Sequence, residues 1–212
     1  MEHTKPLLIG IAGPSASGKT LLVKNLVDSL SGPLAILHED SYYKDLSHLS
    51  PEERTAQNYD HPDAFEHQLL CQHITDLKRG NPIISPAYDF KTHTRVKTGQ
   101  HIKPAPVIII DGILLLATEE LANLLDLAIF VDTPLDICLI RRIERDTKER
   151  GRNLDEILTQ YQATVRPMYY KYVEPSREKA DIVVTGGGKN WKAIDMIKNQ
   201  ISQSVNEDSY EK

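Results

Sequence analysis

The chain reads as an α/β domain: a five-stranded parallel core sheet flanked by helices, with an inserted β-hairpin region and an arginine-bearing lid. Three observations predict this class. Short apolar runs alternate with stretches of helical periodicity along most of the 212 residues. The strongest runs are apolar throughout, as parallel strands buried on both faces require. The length suits one domain with a sizeable core, 1–204, followed by a frayed polar tail, 205–212.

Leu7 to Ala12 is the first strand, and Gly13 to Gly18 the loop after it. Thr20 to Leu30 places Leu22, Val23, Leu26, Val27 and Leu30 on one helical face, and Gly32-Pro33 stops it. Leu34 to Leu37 is a second strand, leading into a polar loop rich in tyrosine. Ser50-Pro51-Glu52-Glu53 has an N-cap, a proline at the first helical position and a capping glutamate. A further helix spans about Glu66 to Arg79. Residues 82–103 alternate apolar side chains with Pro, Thr, Lys and Gly, the pattern of an extended hairpin.

Val107 to Ile110 is the clearest strand, followed by a helix over Thr118 to Leu125 and a strand over Leu127 to Val131. Thr133-Pro134-Leu135-Asp136 reads as a capped start for a helix to Lys148. Gly151 breaks it, and Leu154 to Tyr172 is helical again, ended or kinked at Pro167. Asp181 to Val184 is the fifth core strand, and Trp191 to Ser202 the closing helix.

Apolar residues make up 40% of the chain and charged residues 26%, with a net charge of -5. That balance argues against nucleic acid or an anionic membrane as partner. Cys71 and Cys138 sit in helix-like apolar patterns and read as reduced core thiols. No secretory signal and no bilayer-length apolar run is visible, so the expected location is cytoplasmic.

The segment Gly13-Pro14-Ser15-Ala16-Ser17-Gly18-Lys19-Thr20 matches G-x-x-x-x-G-K-[ST], with a strand before it and a helix after it. Such a loop turns backbone N–H groups inward around an anion, and the helix N-terminus adds partial positive charge. Lys19 is expected to reach the β- and γ-phosphates, and the Thr20 hydroxyl to bind Mg²⁺. A Gly-rich turn without function is the bland alternative.

Ligands of open parallel sheets lie beyond the carboxyl ends of the strands. Asp40, Asp111 and Asp132 follow the second, third and fourth strands. Phosphoryl transfer needs a metal-holding acid and a proton acceptor. Asp111, ending an all-apolar strand, is the candidate for the metal. Asp40, opening Asp40-Ser41-Tyr42-Tyr43, is the candidate base, with Glu39 as its rival. Any of these acids could instead cap loop N–H groups, and Asp132 fits that role best, directly before a helix start.

Arg141, Arg142, Arg145, Arg150 and Arg152 cluster around Gly151. Asp146 and Glu149 follow Arg142 and Arg145 by four residues, the spacing of a solvated salt-bridge face. The other reading is a lid, 148–154, whose arginines neutralise a transferring phosphoryl group.

The chain resembles the bacterial uridine–cytidine kinases of the P-loop kinase superfamily. The resemblance rests on GPSASGKT (13–20), HEDSYYKD (38–45), NYDHPDAF (58–65), YDFKTHTR (88–95), DGILLL (111–116), the stretch 130–152 and the stretch 160–176, in order along nearly the whole chain. It implies the P-loop kinase fold and phosphorylation of the 5′-hydroxyl of uridine and cytidine by ATP or GTP with Mg²⁺. It assigns Asp40 as base, also near the metal with Thr20 and Asp111. Tyr43, Asp60, Tyr88, His93, Arg142 and Gln160 would hold the nucleoside: Asp60 and Arg142 the ribose hydroxyls, Tyr88 and His93 the pyrimidine.

By the same resemblance Arg145, Arg150 and Arg152 meet the triphosphate together with Gly13, Ser15, Ala16, Ser17, Gly18 and Lys19. Gly186 to Asn190 matches a loop near the donor base, and a homotetramer is implied. Two positions depart from the pattern: Asp111 stands where the family usually has Glu, and Thr185 precedes Gly186 where Arg is usual. The competing readings are a phosphoribulokinase-like or pantothenate-kinase-like enzyme and a nucleotide-switched binding protein.

Overall fold

A computed structural model describes residues 5–207. Its elements in order are β1 (Leu7–Ala12), α1 (Lys19–Ser29), β2 (Leu34–His38), α2 (Pro51–Thr55), α3 (His67–Lys78), β3 (Ile83–Asp89), β4 (Thr94–Ile102), β5 (Val107–Gly112) and α4 (Glu119–Ala122). There follow β6 (Leu127–Asp132), α5 (Leu135–Lys148), α6 (Leu154–Gln160), α7 (Arg166–Met168), α8 (Glu174–Ser176), β7 (Ile182–Thr185) and α9 (Trp191–Glu207). The last residues of the expected frayed tail, 208–212, lie outside the described residues; 205–207 continue α9.

Five strands form one parallel sheet in the order β2-β5-β1-β6-β7. Along β1, Leu8 and Ala12 face one side of the sheet and Ile9 and Ile11 the other, the period of two that a strand imposes. Both sides are buried, which is why these strands are apolar throughout. Leu22 and Leu26 of α1 and Ile194, Ile197 and Ile201 of α9 cover one face. Leu70, Ile74 and Leu77 of α3 cover the other. Each such side chain contributes about 1.5–3 kcal/mol by leaving water.

The order places β2, β5 and β1 side by side. His38 pairs with Asp111, and Ala12 with Gly112. The loops after these three strands therefore open at one edge of the sheet. β3 and β4 form a separate antiparallel hairpin, with a bulge between Ser85 and Ala87 at Pro86, which has no N–H to donate.

Several local expectations change. α2 carries the full Ser50/Glu53 capping box but is only five residues long. The Thr133 hydroxyl does not cap α5; it donates to the Ser17 carbonyl at 2.9 Å. α4 spans four residues instead of the eight expected. Pro167 does not end its helix: π-helical turns at Tyr161–Val165 and Tyr169–Val173 precede Pro167 and Pro175, widening the coil where a proline would otherwise strike the preceding turn.

Candidate active site

The loop between β1 and α1 is shaped by Gly13 (φ 143°), Ala16 (φ 63°) and Gly18 (φ 101°). Gly18, in left-handed backbone that a side chain would disfavour, is the N-cap of α1 and supplies no side-chain cap. The first-turn N–H groups of α1 thus face outward without a capping partner, where they can hold an anion. Lys19 is buried and donates to the Gly13 and Pro14 carbonyls, both at 2.9 Å. Burial lowers its pKa, while Asp40 and Asp111 oppose that shift. Ser17 Oγ is buried without a hydrogen-bond partner. The Ser17 carbonyl accepts from Thr133 and, at 3.1 Å, from Arg141.

This loop forms one wall of a cleft of about 540 Å³. The other walls carry His38, Asp40, Asp111, Arg145 and Arg150. An uncapped helix start, a lysine and arginines fit a polyphosphate. Asp111, at the end of β5, receives His38 Nδ1 at 2.5 Å; that hydrogen bond raises the His38 pKa. No group of three or more His, Cys, Asp or Glu side chains able to hold a metal is present among the described residues. Thr20 and Asp111, both on the cleft, fit Mg²⁺, which takes most of its ligands from phosphate and water.

A second, smaller pocket of about 60 Å³ adjoins the cleft, with room for only a few waters. It is lined by Asp40, Tyr43, Asp60, Tyr88, His93, Arg142 and Gln160, which come from five separate segments of the chain. Three of these present buried polar atoms without a good hydrogen bond: His93 Nδ1, Arg142 Nε and Tyr88 Oη. Tyr88 Oη lies beside the Tyr59 hydroxyl, which donates to the Arg54 carbonyl at 2.8 Å. Burial raises the Asp60 carboxyl above its ordinary range, against the pull of Arg142 and Arg145. Gln160 Oε1 accepts from Arg142 at 2.9 Å and Arg152 at 2.6 Å. His93 sits at the hairpin tip with φ 53°, stacked on Tyr59 at 4.6 Å.

Asp40 borders both cavities. It lies on the 3₁₀ turn Glu39–Tyr42 that directly follows β2. Burial pushes its pKa up to about 6; Lys19 draws it down, while Asp111 and Glu39 add to the rise. No side-chain hydrogen bond ties up its carboxylate among the described residues.

The other acids separate cleanly. Glu39 is fully buried, takes the Leu114 N–H at 2.9 Å and pairs with His67 at 2.9 Å. A side chain at Gly112 would collide with it, which explains that glycine. Asp132 pairs with Arg177 at 3.0 Å and lines neither cavity. Arg152 lines the small pocket and not the phosphate cleft. Asp146 is fully buried beneath the arginines, so the solvated face expected from its spacing is a buried one.

Six lining residues have no role assigned from the sequence: His38, Ser41, Tyr59, Phe90, Gly112 and Ile113. His38 and Tyr59 lie within the quoted motifs, two residues before Asp40 and one before Asp60. Phe90, under the Arg150 guanidinium at 4.3 Å, and Ile113 carry no polar signal at all.

A family model described as the Phosphoribulokinase / Uridine kinase family matches residues 8–192. The chain is 53% identical over 202 residues to a uridine kinase of Cronobacter sakazakii, covering 93% of this chain and 95% of the relative. It is 52% identical over 208 residues to a uridine kinase of Klebsiella pneumoniae, covering 96% and 97%. In fold it is similar to a phosphoribulokinase from Rhodobacter spheroides, with a TM-score of 0.64 at 14% identity, covering 85% of this chain and 70% of that one. The parallel sheet with its P-loop edge and these full-length matches agree: the chain belongs to the phosphoribulokinase/uridine kinase family.

Proposed function

We propose that this chain transfers the γ-phosphoryl group of ATP or GTP to the 5′-hydroxyl of uridine and cytidine, giving UMP and CMP. The observation that carries the reading is the meeting of two cavities at Asp40: a phosphate cleft on one side, and on the other a small pocket with two buried polar atoms, His93 Nδ1 and Tyr88 Oη, that lack a hydrogen bond. Buried polar groups normally find partners, so these two are suited to a ligand rich in donors and acceptors. A nucleoside is such a ligand, with polar base edges, a flat π-face and ribose hydroxyls; the pocket, at about 60 Å³, widens to admit it.

In this reading Asp40 accepts the proton of the 5′-hydroxyl as that oxygen bonds to the γ-phosphorus and the bond to the departing nucleoside diphosphate breaks. A pKa of about 6 leaves Asp40 ionised at neutral pH yet more basic than an ordinary aspartate. Lys19, Arg145 and Arg150 neutralise charge on the phosphoryl group. Asp60 and Arg142 hold the ribose hydroxyls; Tyr43, Tyr88, His93 and Gln160 frame the base. Arg152 reaches the triphosphate through its neighbours on the lid, 148–154. Thr20 and Asp111, with Asp40 nearby, would hold Mg²⁺, which would neutralise charge on the triphosphate. The whole of 1–204 acts as one catalytic domain, working in the cytoplasm as a homotetramer.

A panel of acceptors incubated with γ-labelled ATP tests the assignment. Labelled UMP and CMP are expected; labelling of a sugar phosphate with uridine and cytidine inert would replace it with a phosphoribulokinase-like activity.

A further inference from the structure

Asp146 has no exposed surface, yet it is surrounded by four arginines. Its two carboxylate oxygens divide them. Oδ1 takes Arg145 Nε at 2.8 Å and lies 3.4 Å from Arg150 Nη1. Oδ2 lies 3.6 Å from Arg142 Nε and 3.7 Å from Arg152 Nη1. Arg145 and Arg150 border both the phosphate cleft and the small pocket; Arg142 and Arg152 border the small pocket and not the cleft. One oxygen therefore holds the arginine pair that spans both cavities, and the other the pair confined to the acceptor side.

The backbone enforces this. Arg142, Asp146 and Arg150 are spaced four apart along one face. Gly151, with φ 69°, then turns the chain back, and the Arg152 N–H donates to the Asp146 carbonyl at 3.1 Å. Four guanidinium groups around one carboxylate leave an excess of positive charge away from water, where an anion is strongly held.

The two sides are unequally made. Only the Arg145 contact is a full hydrogen bond. Asp146 Oδ2 and Arg142 Nε are both buried and both lack a hydrogen bond, facing each other at 3.6 Å. A contraction of less than an ångström would turn that gap into a charge-assisted bond.

We propose that Asp146 is a positioning residue that couples the two pockets: its carboxylate ties Arg142 and Arg152, which face the small pocket but not the cleft, to Arg145 and Arg150, which also reach the phosphate cleft, so that filling one pocket orders the other. The proposal rests on the reading that the small pocket takes the nucleoside and the cleft the triphosphate. The unfilled contact on Oδ2 is the element that occupancy completes. A carboxylate that only offset repulsion among arginines would stabilise the fold without linking the sites.

Calorimetric titration separates these roles. In the wild-type protein, uridine is expected to bind about 5-fold or more tightly when a non-hydrolysable ATP analogue with Mg²⁺ is present, a usual size for coupling between sites. In Asp146→Asn, which keeps the shape and removes the charge, that factor should fall to about 1, with each ligand's separate affinity changed much less. Wild-type coupling retained in Asp146→Asn, or no coupling in the wild type, overturns the proposal. Arg152→Gln supplies an independent arm should Asp146→Asn fail to fold. Although Arg152 does not line the cleft, its loss should weaken analogue binding several-fold in the absence of any nucleoside; unchanged analogue affinity overturns the coupling. That arm needs no acceptor, so a failure of the nucleoside assignment would be seen separately, as wild-type protein that binds the analogue but not uridine.

Discussion

Glu39 Oε1, fully buried, meets His67 Nε2 at 2.9 Å, while the next residue, Asp40, opens onto two cavities. Adjacent acids on one 3₁₀ turn thus have opposite roles. Asp40→Asn is expected to lower kcat by about 10²–10⁴-fold, the range for a general base, with near-normal nucleotide binding. Glu39→Gln weakens a buried pair and the bond to the Leu114 N–H, so it should lower the thermal midpoint instead. Loss of nucleotide affinity in Asp40→Asn equal to its loss of kcat would assign Asp40 to structure or metal.

The pH profile follows from the Asp40 environment. A base works deprotonated, and burial has raised this carboxyl to about 6. kcat/KM is therefore expected to fall as pH drops below about 6, about two units above the limb an ordinary aspartate would give. The sign for stability is opposite to that of a salt-bridged acid. Because the folded pKa is raised, the ionised form opposes folding above that pH, and protonation relieves the cost as pH falls through it. Asp40→Asn should abolish the acid limb while leaving the thermal midpoint at pH 8 unchanged or higher. A limb that persists in the variant would belong to another group, His38 being the nearest candidate.

The residues that open this site were unequally legible. Lys19, Asp40 and Asp111 follow from a local rule, because the ends of adjacent parallel strands must converge whatever the rest of the chain does. All five core strands were visible for the same reason, since continuous apolar runs have few other uses. Asp60, Tyr88 and His93 reached the list only through family resemblance. The strand pattern of 82–103 marks a hairpin but not where its tip docks, and no local rule brings Asp60 or that hairpin to the pocket. The two readings of the Asp146 face stay open in the sequence because a spacing of four from an arginine looks the same on a solvated face and a buried one. Thr133 is not the cap because α5 begins at Leu135 with Pro134 in the capping position, one residue beyond what the Thr-Pro signal implies.

Lys19→Ala should abolish activity and weaken triphosphate binding more than diphosphate binding. Lys19 is held at the loop by two carbonyls at 2.9 Å and reaches the cleft from a buried base. Removing it takes away the cation among the loop residues that contact the anion. Titration with labelled ATP and ADP measures the difference, and full turnover in the variant would refute the assignment of the loop.

Asp60 sets a test of the sugar. It is buried, its carboxyl raised by desolvation, with Arg142 and Arg145 as the opposing charges. A site built to bond a hydroxyl rejects an analogue lacking it, because the buried group is then left unpaired. Wild-type protein should strongly prefer uridine to 2′-deoxyuridine in kcat/KM. Asp60→Ala should lower turnover of uridine far more than of deoxyuridine, narrowing that ratio. An unchanged ratio would move the ribose contact elsewhere.

His38 makes the last prediction. Its Nδ1 lies 2.5 Å from Asp111 Oδ1, on the wall of the phosphate cleft. Asp111 has a shorter reach than the glutamate usual in this family, so the direction of its carboxylate matters more. With the histidine removed, that carboxylate loses the partner that orients it, as outer groups orient metal ligands elsewhere. His38→Ala is expected to raise the Mg²⁺ concentration for half-maximal activity several-fold while leaving KM for uridine unchanged. Chelation should stop the wild-type reaction, and added Mg²⁺ should restore it. Calorimetry of Mg²⁺ binding to the analogue-loaded protein checks the same shift without turnover. An unaltered Mg²⁺ affinity in the variant would leave the His38–Asp111 contact a structural one and return the metal to Thr20 and the phosphates.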